Sequence, residues 1–167
     1  DKDRLMSFKQ FDTKHSKTRF KSFDCSIMEL ADDIAYGIHD LEDAIVMDMV
    51  NRQDFISDVT LPLKTLEIKW LSDNIDELTD KLFSKAHHER KNAIGALVNS
   101  FITAIEIADV EGFEHPLLAY NAKMPTDFES GLELFKRFVY KKVIRRPDVQ
   151  QLEYKGQMVV MELLEAF

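Results

Sequence analysis

Between positions 32 and 43 the chain sets carboxylates at Asp32, Asp40 and Asp43, a phenol at Tyr36 and an imidazole at His39. On a helical wheel turning about 100° per residue, with Asp32 at zero, Tyr36 falls at about 40°, His39 at about 340°, Asp40 at about 80° and Asp43 at about 20°. All five share one face. Carboxylates at this spacing suit hard divalent cations such as Mg²⁺ or Mn²⁺, and an aspartate beside an imidazole suits a first-row transition metal as well. Leu30, Ile34, Ile38, Leu41 and Ile45 gather on the far side, at roughly 160° to 240°, where they can seat the helix on a core.

The charge around this face is one-sided. Between Lys21 and Arg52 stand Asp24, Glu29, Asp32, Asp33, Asp40, Glu42, Asp43 and Asp48, with no Lys or Arg among them. A solvated helix face ordinarily mixes signs so that pairs four residues apart relieve repulsion. Local sequence supplies no such partner here, which leaves two readings open: a site for a cation or substrate, or an acidic stripe that maintains solubility.

The string Ala31-Asp32-Asp33-Ile34-Ala35-Tyr36-Gly37-Ile38-His39-Asp40-Leu41-Glu42-Asp43-Ala44 resembles the last metal-binding motif of the deoxyguanosinetriphosphate triphosphohydrolases, a branch of the HD-domain phosphohydrolases. The segment Asn92-Ala93-Ile94-Gly95-Ala96-Leu97-Val98, the run His115-Pro116-Leu117-Leu118 and the stretch from Val149 to Gln157 also resemble the C-terminal half of that family. The resemblance implies that Asp32 is the final aspartate of the family's metal set. It likewise implies that Tyr36 contacts sugar and triphosphate, and that Asp40 bonds the deoxyribose 3′-hydroxyl. Positions four and eight residues beyond a metal ligand climb the same face by about 6 and 12 Å, a span that suits a phosphate chain leading to a sugar. His39 and Asp43 are expected in the pocket wall or behind the ligands.

His39-Asp40 spells the dipeptide that names the superfamily, but its place is wrong. In the family the metal-binding His and His-Asp pair precede the final aspartate, and the one histidine before Asp32 is His15, followed by Ser16. Three of four metal ligands are therefore missing, and one aspartate cannot hold a catalytic metal. The expectation is that residues 1–167 form a single helical region, the C-terminal part of a longer enzyme and inactive alone. The first residue is Asp1 and the last stretch, Met161 to Phe167, is amphipathic with no terminating Gly or Pro.

Through that resemblance the parent is expected to convert a deoxynucleoside triphosphate, dGTP first, to deoxynucleoside and inorganic triphosphate with Mg²⁺ or Mn²⁺. Homo-oligomers, often hexamers, and single-stranded DNA are the partners it implies. Two alternatives remain: another HD-type nucleotidase or phosphodiesterase, and a non-catalytic helical module that binds nucleotide or single-stranded DNA.

Composition bounds these readings. A chain of 167 residues, 45% apolar, can bury one core of ordinary size. No run of 18 or more apolar residues appears, so no membrane partner is expected, and the single Cys25 fits a reducing compartment, with the cytoplasm as default. A net charge of −8 argues against binding nucleic acid over the whole surface. Two basic stretches stand out: residues 1–21, with seven Lys or Arg against three acids, and residues 133–146, with six against Glu133. In the first, Lys17 or Arg19 could neutralise a triphosphate. In the second, Phe135, Phe138 and Tyr140 interleave with the bases, as in a stacking groove or a plain amphipathic helix, the latter being favoured.

The expected elements make an all-α fold, an HD-like helical bundle. Residues 1–22 read as loop or extended chain. A long helix capped by Ser26 is expected to about Asn51, with a break at Pro62. Helices follow over 73–83 and about 86–108, then a loop over 112–125. Thr126-Asp127-Phe128-Glu129 has the form of a capping box opening a helix to about Ile144, and Pro147 starts the last. His87 and His88 point about 100° apart, so they are expected to face solvent and not one ion.

Overall fold

A computed structural model describes residues 20–167, together with the backbone of residues 9–11 and 16–18. The latter form β1 (Lys9–Phe11) and β2 (Ser16–Thr18), paired antiparallel with Lys9 opposite Thr18. The rest of residues 1–19, with the side chains of Lys17 and Arg19, lies outside the described residues.

Helix α1 (Phe23–Val46) is the axis of the molecule. Its N-cap is Ser22, whose hydroxyl accepts from the Cys25 amide; Ser26, expected in that role, lies within the first turns. Ser26 is buried there and does a different job. Its hydroxyl donates to the Phe23 carbonyl at 2.6 Å and accepts the Ala122 amide at 2.8 Å, tying the helix start to a strand far along the chain. The helix stops at Val46, short of Asn51, because Asp48 takes a left-handed backbone (φ 54°). The Asp48 amide then bonds the Ile45 carbonyl and the Met49 amide the Ala44 carbonyl, the paired closure that ends many helices. A glycine usually fills this position, so the sequence carried no warning.

Pro62 does not break the chain's helical course. Helix α2 (Arg52–Phe55), a π-helical segment (Ile56–Thr60) and α3 (Leu61–Leu63) run on continuously. The wider π turn precedes the proline, at the point where an α-helix would have to lose a hydrogen bond to its missing N–H. Helix α4 (Lys69–Leu82) follows, then α5 (His87–Thr103). Helix α5 ends five residues before the expected limit because Glu106–Asp109 leaves it to form β3, antiparallel to β4 (Tyr120–Lys123), with a short helix α6 (Pro116–Ala119) between them. This hairpin occupies most of the expected 112–125 loop, so the all-α fold carries two small two-stranded ribbons.

Helix α7 (Thr126–Val139) passes into a second π-helical segment (Tyr140–Ile144), and α8 (Pro147–Ala166) begins at Pro147 as expected. The capping box is not made: Pro125 takes the N-cap position and Thr126 is already helical. Helix α8 has no buried residue. Among the described residues no helix is long and apolar enough to cross a membrane.

The core lies between α1, α4, α5 and α7. Ile38, Leu41, Phe55, Leu71, Leu97, Phe101 and Phe135 are fully buried in it. The Phe55 ring meets Phe138 at 5.5 Å and Phe135 at 6.0 Å, and Phe135 meets Phe101 at 5.9 Å, mostly edge to face, the arrangement aromatic quadrupoles favour. Two buried hydroxyls are satisfied within it: Thr79 donates to the Ile75 carbonyl, which leaves Thr60 to donate to Thr79 at 3.0 Å. With Phe135 and Phe138 inside, α7 is an amphipathic helix and not a stacking groove.

Where α1 crosses α7, Gly37 has no room to spare. A Cβ there would lie 3.0 Å from Leu132 Cδ1 and 3.3 Å from Lys136 Cγ. Gly95, exposed in α5, has nothing within 4 Å of that position. Replacing Gly37 with Val is therefore expected to destabilise the protein by about 1–3 kcal/mol through overpacking. Gly95→Ala is expected to stabilise it by roughly 0.5–1 kcal/mol through helix propensity. Urea unfolding of both variants checks the contrast, and equal effects at the two glycines would contradict the close crossing.

Candidate functional site

Helix α1 divides as its pattern requires. Ile34, Ile38 and Leu41 are buried, Leu30 and Ile45 are partly so, and Asp32, His39 and Asp43 are exposed. Tyr36 and Asp40, the residues four and eight beyond Asp32, are half-buried. The face is thus open at Asp32 and shallowly walled toward Asp40.

These side chains feel one another. Burial pushes the Asp40 carboxyl above its ordinary range and the neighbouring Asp43 and Asp32 push it further, while His39 opposes them. Burial likewise raises the Tyr36 phenol, helped by Asp40 and by Tyr140 and Glu133 of the facing segment, and Lys136 pulls it back down. The structure therefore brings Asp32, Tyr36, Asp40, Asp43 and His39 into one electrostatic group. It adds Lys136, Glu133 and Tyr140 from another element.

Sequence reading missed those three, although Glu133, Lys136 and Tyr140 repeat at three and four and so share a face of one helix. What periodicity could not say is that this face meets Tyr36. Beside the pair runs a cleft of about 160 Å³ lined by Leu30, Asp33, Met124, Leu132, Glu133 and Lys136. Larger clefts, of about 520 and 410 Å³, open around Pro62 and around Trp70, and the first shares Glu133 with the small one.

The acidic stretch is not left wholly uncompensated. Lys136 Nζ lies 2.7 Å from Asp33, Lys91 of α5 reaches Glu42 at 2.9 Å, and Lys21 pairs with Glu29. Lys91 and Lys136 come from the tertiary fold, where local sequence could not show them. Among the described residues Asp32, Asp40 and Asp43 take part in no ion pair, so pairing stops at the edge of the site face.

A metal set is not completed here. No group of three His, Cys, Asp or Glu among the described residues could hold an ion, so Asp32 fits as one ligand of a larger set and not as a site by itself. His87 and His88 are exposed at the start of α5, as expected, and His87 Nδ1 lies 3.5 Å from Arg90. Cys25 is a free, exposed thiol.

A pH signature follows from Asp40. Its raised pKa means that the folded state holds this proton more tightly than the unfolded chain does. Its contribution to stability is present below the ordinary carboxylate pKa and lost as pH rises through the folded value. Asp40→Asn is therefore expected to raise the melting temperature at pH 7 and to leave it nearly unchanged at pH 3.5. A destabilised variant at pH 7 would contradict the crowding of Asp40 with Asp43 and Asp32.

Comparison with known proteins bears on the same residues. A family model described as a phosphohydrolase-associated domain matches residues 122–167, which run from β4 through α8. A deoxyguanosinetriphosphate triphosphohydrolase-like protein of Shewanella pealeana is 59% identical over 93% of this chain and 35% of its own length. Proteins of the same description from Shewanella halifaxensis and Shewanella woodyi are 55% and 57% identical, over 98% and 92% of the chain and 37% and 35% of their own lengths. The chain thus belongs with the deoxyguanosinetriphosphate triphosphohydrolase-like proteins, as a segment spanning just over a third of their length.

Proposed function

We propose that the chain supplies the sugar- and phosphate-reading wall of a metal-dependent deoxynucleoside triphosphate triphosphohydrolase, with dGTP as its first substrate. The observation that supports it most is the row Asp32, Tyr36, Asp40: unpaired carboxylates flanking a half-buried phenol on one open helix face. The similarity to deoxyguanosinetriphosphate triphosphohydrolase-like proteins supports the same reading.

In this reading Asp32 is the single ligand the chain contributes to a Mg²⁺ or Mn²⁺ site. The cation, when bound, polarises a phosphoryl oxygen and lowers the pKa of water. Tyr36, its pKa raised, stays protonated near neutrality and donates its hydroxyl hydrogen to a phosphate oxygen. The Asp40 carboxylate accepts a hydrogen bond from the 3′-hydroxyl, which fixes the sugar against the Tyr36 ring, where a 2′-hydroxyl would crowd. In the reaction water oxygen bonds to the α-phosphorus, the bond to the 5′-oxygen breaks, and that oxygen leaves protonated as the deoxynucleoside. The water's oxygen stays with inorganic triphosphate. A homo-oligomer, often hexameric, and single-stranded DNA complete the proposed partners, with the cytoplasm as the proposed compartment.

The test is release of inorganic triphosphate from dGTP with Mg²⁺ or Mn²⁺ by the intact protein that contains this chain. Asp32→Ala is expected to abolish release, and Asp40→Ala to reduce the preference for deoxy- over ribonucleotide by about tenfold or more. Release of monophosphate instead would favour another nucleotidase, and full activity in Asp32→Ala would remove Asp32 from the metal site.

A further inference from the structure

A triphosphate carries several negative charges, and the face proposed to receive it presents carboxylates. Beside the proposed metal ion, a cation of the protein near that face would offset the repulsion. Three lysines pair with acids of α1 among the described residues. Lys21 meets Glu29, near the helix start. Lys91 meets both oxygens of Glu42, at 2.9 and 3.1 Å, and Glu42 is only 6% exposed, so this lysine is committed to a buried charge.

Lys136 differs in each respect. It stands on the Tyr36 side of α1, and of the three it is the one whose charge acts on the Tyr36 phenol. Its partner Asp33 is half exposed and holds it through one oxygen at 2.7 Å, with Glu133 at 3.9 Å. A pair to a half-exposed carboxylate is held less firmly than one to a buried charge such as Glu42, and exchanges more easily for a more highly charged partner. Its stem is packed over Gly37, with Cγ 3.3 Å from where a Cβ would lie, and its side chain lines the small cleft.

We propose that Lys136 is a phosphate-binding residue of this site, parked on Asp33 until a nucleotide's triphosphate takes it over. The proposal rests on the nucleotide reading of the Asp32–Tyr36–Asp40 face. Asp33 is then a holding partner that competes with substrate.

Inhibition of the intact protein by inorganic triphosphate, and by the deoxynucleoside that carries no phosphate, tests it. Lys136→Met is expected to weaken triphosphate inhibition and to raise KM for dGTP by about tenfold, the loss of one charged phosphate contact. Inhibition by the deoxynucleoside is expected to stay within about twofold, and Lys136→Arg to recover most of the loss. Asp33→Asn is expected to act in the opposite direction and tighten triphosphate binding several-fold by freeing the lysine. A merely structural ion pair would make the Lys136 and Asp33 variants fail together, and that parallel loss would overturn the proposal. The Asp33 variant keeps the test decisive if Lys136→Met does not fold. If Tyr36→Phe weakens triphosphate binding and Lys136→Met does not, the lysine assignment fails while the site reading stands. If neither does, the site reading fails and takes this proposal with it.

Discussion

The close crossing of α1 over α7 at Gly37 is the contact on which the rest depends. A helix that keeps one face open must be fixed by the other, and α1 is fixed by a narrow apolar stripe. Ile34, Gly37, Ile38 and Leu41 are buried, while Asp32, His39 and Asp43 are exposed. Gly37 lets Leu132 and Lys136 lie almost against the backbone at the stripe's edge. The same approach seats Phe135 in the aromatic core and sets the Lys136 charge where it acts on the Tyr36 phenol. Packing and charge placement are one constraint here, because a side chain at position 37 presses on Leu132 and Lys136 together.

Charge is distributed along α1 by the same geometry. Among the described residues Glu29, Asp33 and Glu42 of this helix are paired, the last two from other elements, whereas Asp32, Asp40 and Asp43 on its open face are not. Leaving them unpaired works against stability, since Asp40 is both partly buried and crowded by its own kind. Such uncompensated groups are where local rules give way to function. In the proposed reading, neutralisation comes from a bound cation and from Lys136.

Much of this was legible in the sequence. Periodicity marked both faces of α1, and the fourteen-residue motif from Ala31 to Ala44 carried the family. Other features depend on groups remote in sequence or on unusual backbone. Ser26 looked like a cap because its hydroxyl partner, the Ala122 amide, could not be foreseen. Asp48 ends α1 in a conformation that glycine usually signals, and Pro62 continues a helix because a π turn absorbs it. Lys136 belonged to a basic stretch with no visible destination, and only the crossing at Gly37 gives it one.

The most direct measurement is a crystal structure of the intact protein with a non-hydrolysable dGTP analogue. The account predicts the sugar 3′-hydroxyl within hydrogen-bond distance of Asp40, a phosphate oxygen at the Tyr36 hydroxyl, and a metal ion on Asp32. An analogue bound elsewhere, with the Asp32–Tyr36–Asp40 face covered by protein, would contradict it.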